Sequence, residues 1–307
     1  MKNHWKKLGR LYTPQVSGRH HKLISHAANP LPVHLNGDTY RVFYSGRDVR
    51  NRSSIGAVDI NIKEQAIVCD HFNPFFEHGS PGCYYSDGIS VGNCYSVQDV
   101  NYMLFMGWQN PFNQHWRGDI GRLRLTDKFT LELVDNDPLI SSDSVDPVSL
   151  SYPWVQPSSC GGFDMWYGST ITWDAGNGEM VHAINHASSK DGQSWIKHGL
   201  AVPYKIGVAQ AFSRPTVIEG ESGGYEMWFS YRSGTGEKYR IGYARSVDRV
   251  KWTLDIASSG INVALSGWDS EMIEYPYVFR HLDQTYMLYN GNGYGLTGFG
   301  MAVLQRK

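Results

Sequence analysis

One segment type recurs along this chain: an aromatic residue followed by a mostly apolar run that ends in small or polar residues. The copies are Tyr40-Arg-Val-Phe-Tyr-Ser45, Tyr102-Met-Leu-Phe-Met-Gly107, Phe163-Asp-Met-Trp-Tyr-Gly168, Tyr225-Glu-Met-Trp-Phe-Ser230 and Tyr286-Met-Leu-Tyr-Asn-Gly291. Runs of this length and composition predict strands. They begin at residues 40, 102, 163, 225 and 286, spaced 61 or 62 apart; one further step of 61 overruns the 307-residue chain and lands back on residue 40. The period therefore closes on itself after five units, which predicts a circular repeat.

The rest of each unit repeats too. Ten residues before the aromatic stands a proline in four copies, Pro30, Pro153, Pro215 and Pro276. Each opens a short strand-like run, the position where a strand tolerates proline. The second copy, Asp87-Gly-Ile-Ser-Val, aligns with an insertion of about four residues. After the aromatic strand comes another, Ile55-Gly-Ala-Val, Ile120-Gly-Arg-Leu, Val181-His-Ala-Ile, Ile241-Gly-Tyr-Ala and Phe299-Gly-Met-Ala. Two copies then run through a turn to a tryptophan strand at Trp195 and Trp252. The last copy reaches Lys307 without one, and the segment from Trp5 to Pro14 supplies it. Four short strands in each of five units predict an all-β chain: a single five-bladed β-propeller domain over residues 1–307, its ring closed by the N-terminal strand joining the last blade.

Composition narrows the field. Aromatics at 13% and hydrophobics at 41% are too abundant for a disordered chain. No run of about 18 apolar residues predicts a membrane span. A formal charge of −1 without a basic stripe argues against nucleic acid as a partner. Met1-Lys2-Asn3-His4-Trp5 leads into no apolar stretch, so no export signal is expected and the expected location is cytoplasmic. The four cysteines, Cys69, Cys83, Cys94 and Cys160, lack metal-ligand spacing and are expected as reduced, buried thiols.

In a propeller the first strand of each blade lines the central channel. The residues just before the proline position are Ala28-Asn29, Ser86-Asp87, Ser151-Tyr152, Ser213-Arg214 and Glu274-Tyr275, a polar ring that predicts a wet funnel holding a ligand. The ends of the second strands add Arg47, Trp108, Tyr231, Arg232 and Asn292, and the loop of the third copy adds Trp173. His182 stands where four copies carry Gly56, Gly121, Gly242 and Gly300, and a glycine there suggests close approach between strands. Asp87 and Glu274 are the candidate catalytic pair, since two carboxyl groups across a funnel can cleave a glycosidic bond. Arg214, one blade before Glu274, is expected to keep that carboxylate ionised, making Glu274 the base and Asp87 the acid. Arg47, Arg214 and Arg232 suggest an anionic sugar or phosphate, which guanidinium groups hold in bidentate fashion. Asn29, Tyr152, His182, Tyr275 and the aromatic residues named above are the candidate sugar contacts. No cofactor and no metal cluster is legible, and the oligomeric state is open.

The repeat of Pro-x-Val, Tyr-x-Met-Trp-Phe-Ser, Arg-Ile-Gly-Tyr-Ala-x-Ser and x-Asp-x-x-x-Trp resembles the five-bladed glycosidase superfamily of arabinanases, β-xylosidases, invertases and mannoside phosphorylases, over essentially the whole chain. The resemblance implies glycoside hydrolysis or phosphorolysis and an acidic triad on the first three blades. Asp87 matches the second acid; Asn29, with His26 nearby, occupies the first position and Ser151-Tyr152 the third, while Glu274 lies on another blade. Two other readings accompany it: a glycosyl-transferring or sugar-modifying enzyme of polysaccharide biosynthesis, and a non-catalytic glycan-binding propeller. A nucleotide-binding loop is not supported, because Gly291-Asn-Gly293-Tyr-Gly295 leads into no helix.

Overall fold

The computed structural model describes residues 3–15, 17–221 and 223–306; Met1, Lys2, Val16, Ser222 and Lys307 lie outside the described residues. Among the described residues twenty strands carry the fold. They are β1 (Asn3–Tyr12); β2 (Ser25–Asn36), β3 (Thr39–Arg47), β4 (Ser53–Asn61) and β5 (Ala66–Phe76); β6 (Gly88–Val97), β7 (Val100–Gln109), β8 (Arg117–Leu125) and β9 (Leu131–Leu133); β10 (Ser149–Pro157), β11 (Phe163–Thr172), β12 (Val181–Ser189) and β13 (Ile196–Val202); β14 (Ala211–Glu219), β15 (Tyr225–Arg232), β16 (Arg240–Ser246) and β17 (Thr253–Leu254); and β18 (Glu274–His281), β19 (Gln284–Asn290) and β20 (Phe299–Arg306). Each group is an antiparallel meander.

The last meander has three strands of its own, and β1 becomes its fourth by pairing antiparallel with β20 from Asn3↔Arg306 to Tyr12↔Phe299. Single parallel bridges, Ser53↔Gly88 and His182↔Ala211, join successive meanders into larger mixed sheets. Aromatic residues fill the spaces between meanders. Trp5 of β1 meets Trp228 of β15 edge-on, with centroids 5.4 Å apart, and Trp154 of β10 packs against Tyr277 of β18.

The outer turns follow local side-chain chemistry. The Asp191 carboxylate accepts from the backbone N–H groups of Gln193 and Ser194, and Asp248 does the same for Val250 and Lys251. Such side-chain turns are why the Ser-x-Asp segments end one strand and launch the next.

Register corrects one part of the repeat. Gly56, Gly121, Gly242 and Gly300 lie directly opposite Tyr44, Phe105, Phe229 and Tyr289. A Cβ on Gly121 would stand 2.2 Å from the Tyr84 hydroxyl and 2.3 Å from the Phe105 ring, so the glycine makes room for aromatic packing. In the third meander the matching aromatic, Tyr167, faces Asn185. Asn185 is thus the residue that replaces glycine. His182 sits three residues earlier, opposite Thr170. The exchange has a polar cause: Tyr167 and Asn185 both donate to the buried Asp146 carboxylate, at 2.8 and 2.7 Å, and Lys197 neutralises it.

All four cysteines are free, as the spacing suggested, but Cys69 and Cys160 are exposed. No described helix is long and apolar enough to cross a membrane.

Candidate active site

The inner strands share a bulge. Pairing of β10 with β11 skips from Ser151 to Trp154, that of β14 with β15 from Ser213 to Thr216, and that of β18 with β19 from Glu274 to Tyr277. The residue before each proline takes a left-handed backbone: φ is 56° at Asn29, 40° at Tyr152, 48° at Arg214 and 53° at Tyr275. A non-glycine residue in this region is strained by roughly 1–3 kcal/mol, and such strain collects at functional sites. The bulge turns these side chains out of the strand's regular alternation.

The second meander has the same bulge, but it skips Gly92 and Asn93, between Val91 and Cys94. Hydrogen bonding aligns Val91, and not Asp87, with Asn29 and Tyr275: the Val91 N–H donates to Ser45 Oγ as the Asn29 N–H donates to Asn290 Oδ1 and the Tyr275 N–H to Ser230 Oγ. Asp87 precedes β6. Its carboxylate accepts the Asn110 N–H at 2.9 Å and braces the loop after β7.

A cavity of about 440 Å³ opens among these strands, in the size range of small-ligand sites. Asn29, Arg47, Trp108, Tyr152, His182, Arg232 and Tyr275 line it, all predicted from the sequence. Trp116, Tyr239 and Tyr294 join them from loops, where the strand repeat gave no signal. Arg232 donates to Glu179 at 2.7 Å and lies over the Tyr239 ring. Arg47 has no side-chain hydrogen bond or ion pair among the described residues. The Tyr152 hydroxyl donates to that of Tyr275 at 3.2 Å. Ser213 Oγ and Asn29 Oδ1 are buried at the wall without partners. Native proteins leave few such atoms unpaired, so a group of them around one cavity marks a place where a ligand would complete the bonding.

Glu274 lies just behind this wall. It is fully buried, and neither carboxylate oxygen has a hydrogen-bond partner. Burial drives its pKa well above the ordinary carboxylate value, against the smaller opposing pull of Arg47 and Arg232. The shift favours the protonated acid over the carboxylate, the direction opposite to the one the expected base role requires. Arg214 was expected to ionise it, but its guanidinium is turned away, donating to the Tyr275 and Pro30 carbonyls at 2.8 Å each. Buried without a carboxylate, Arg214 has its pKa pushed down to about 9 by desolvation.

His182 is held from both sides, with Nε2 2.6 Å from Ser151 Oγ and Nδ1 2.7 Å from Thr170 Oγ1. Burial, reinforced by the charge of Arg232, lowers its pKa to about 3 and keeps the ring neutral. Space for it comes from Gly168, where a Cβ would stand 2.4 Å from Nε2.

Other expected site residues do different work. Tyr231 faces a separate surface depression with Arg240 and Ile256. Asn292 fastens its own loop, accepting from the Glu271 and Met272 N–H groups and donating to the Gly267 carbonyl. Trp173 is outside the cavity, beside His115 and Trp116. Asp87 and Glu274 do not face one another as wall residues. Among the described residues one cluster has metal-ligating atoms close together, Asp59, Cys69 and His71. There Asp59 is already clamped by Arg41 through two hydrogen bonds of 2.7 and 2.9 Å, which supply the positive charge a metal would bring.

The chain is 39% identical over 303 residues to the uncharacterised protein Rv1502 of Mycobacterium tuberculosis strain H37Rv, covering 98% of this chain and 99% of the relative. It matches the uncharacterised protein MT1551 of strain CDC 1551 / Oshkosh to the same extent. It belongs to their family. No established family model matches. Among solved structures, a glycosyl hydrolase from Bacteroides ovatus superposes with a TM-score of 0.72 at 10% identity, over 99% of this chain and 94% of that one. A member of the mannoside phosphorylase family GH130, described as containing hydrolases of β-1,2 mannosidic linkages in Candida mannan, gives the same values. The endo-arabinase of Bacteroides thetaiotaomicron gives a TM-score of 0.64 at 13% identity, over 96% and 97%. At these identities the likeness shows that the chain shares the fold of these glycoside hydrolases.

Proposed function

We propose that the five meanders are the blades of one closed five-bladed propeller domain, and that the protein is a carbohydrate-active enzyme cleaving an anionic glycoside in the central cavity. Supporting closure, the Asn29 N–H donates to the Asn290 side chain and Arg214 reaches the Pro30 carbonyl, so the first meander is tied to the fourth and fifth. The observation that carries the activity is the orphaned acid Glu274 behind a wall containing two guanidinium groups.

The proposed chemistry follows from those charges. Arg47, free of internal partners, takes the anionic group, and Arg232 supports it. The tyrosine hydroxyls and Asn29 hold sugar hydroxyls. Glu274 gives its proton to the leaving glycosidic oxygen as the bond to the anomeric carbon breaks, the bonding pair staying with that oxygen. A nucleophile then bonds to that carbon and the carboxylate left behind recovers a proton from solvent.

A two-carboxyl hydrolase would place its second carboxylate on the same wall. Among the described residues the wall contains none, which favours an anionic co-substrate such as inorganic phosphate as the nucleophile, held by the arginines. Asp87 acts through Asn110 as a positioning residue. The test is turnover of aryl glycosides and acidic oligosaccharides, with and without phosphate. Glu274→Gln is expected to lower kcat by about 100-fold or more, in line with loss of a general acid. Undiminished turnover would remove Glu274 from the mechanism. Binding on a glycan array without turnover of any substrate would replace the enzyme reading with a glycan-binding one.

A further inference from the structure

A depression adjoins the cavity between the β7–β8 and β11–β12 loops. Gln109, Gln114, His115, Trp116, Arg117 and Trp173 line it, and Trp116 belongs to both its wall and the cavity's. Rings run through Trp116 in both directions. Inward, its centroid is 6.0 Å from that of His182. Outward, it meets Trp173 edge-on at 4.9 Å, and His115 stacks on Trp173 at 4.5 Å and 16°.

Core packing does not explain these rings. Trp116 and Trp173 are only partly buried and belong to none of the hydrophobic clusters. Flat apolar faces flanked by amide and guanidinium donors suit a sugar ring, whose C–H face is apolar and whose hydroxyls project from its edge.

We propose that this depression is a second saccharide subsite, continuous with the cavity through Trp116, so that the ligand is an oligosaccharide reaching outward over Trp173 and not a single sugar. The proposal rests on the carbohydrate reading of the cavity. It predicts that affinity depends on ligand length.

The test is calorimetric titration of the whole chain with two series of one to four units each, oligogalacturonides as the anionic probe and β-mannooligosaccharides as the neutral one. Wild type is expected to gain about tenfold in affinity once the ligand is long enough to reach Trp173, the scale of one aromatic stacking contact. Trp173→Ala, and separately Gln114→Ala, should remove most of that gain, Trp173→Phe should restore part of it, and a blue shift of tryptophan emission should accompany binding of the longer ligands alone. Affinity independent of length, or an equal loss at every length in the variants, overturns the subsite and leaves the cavity reading standing. Failure of wild type to bind either series at any length overturns both.

Discussion

Glu274 is the residue on which the proposed acid–base chemistry turns. In the unfolded chain its carboxyl ionises near pH 4.5; in the folded protein its pKa is well above that. Between the two values the unfolded state holds fewer protons, so stability falls as pH rises, by at most about 1.4 kcal/mol per pH unit. Urea titrations at pH 5, 6, 7 and 8 should therefore show Glu274→Gln gaining on wild type as pH rises, while its turnover is lost. Parallel curves would mean that Glu274 is ionised in the fold. His182 has the opposite sign. Its pKa of about 3 is below the ordinary value of 6.5, so its contribution is present above pH 6.5 and is lost as pH falls toward 3. Replacing it with Asn should flatten the stability profile across that acidic window. The sequence displayed the residue types of this site but not their orientation. Arg47 and Arg214 look alike on paper, and only burial distinguishes the one facing the cavity from the one spent on two backbone carbonyls.

At the scale of elements, the strand repeat was legible because each meander needs the same buried face and the same turn chemistry. What it concealed was the bulge. Proline marks the bulge in four inner strands, but Gly92 occupies that place in the second, so Asp87 was aligned where Val91 belongs. The third meander hid its register in the same way, because a polar group around Asp146 replaces the aromatic-over-glycine pair. The pairing makes a quantitative prediction. Gly121→Ala forces a methyl group against Tyr84 and Phe105, and overpacking of this kind costs about 1–3 kcal/mol. A urea midpoint within error of wild type would show that the aromatic rings can yield.

At the scale of the molecule, the repeating strand period was readable from sequence arithmetic, whereas the cavity was not. Its loop contributors, Trp116, Tyr239 and Tyr294, lie outside the repeating strands. The seam between the ends of the chain is the point at which global stability can be probed. Trp5 is 3% exposed and packed on Trp228; Trp5→Ala should cost about 3–5 kcal/mol, read as a lower thermal midpoint by calorimetry. The pairing of β1 with β20 has a further consequence for how the protein is made. β1 is made almost three hundred residues before β20, the strand it pairs with. Until β20 follows, the nascent chain must keep that strand edge from sticking elsewhere, and chaperone dependence should last until β20 is released.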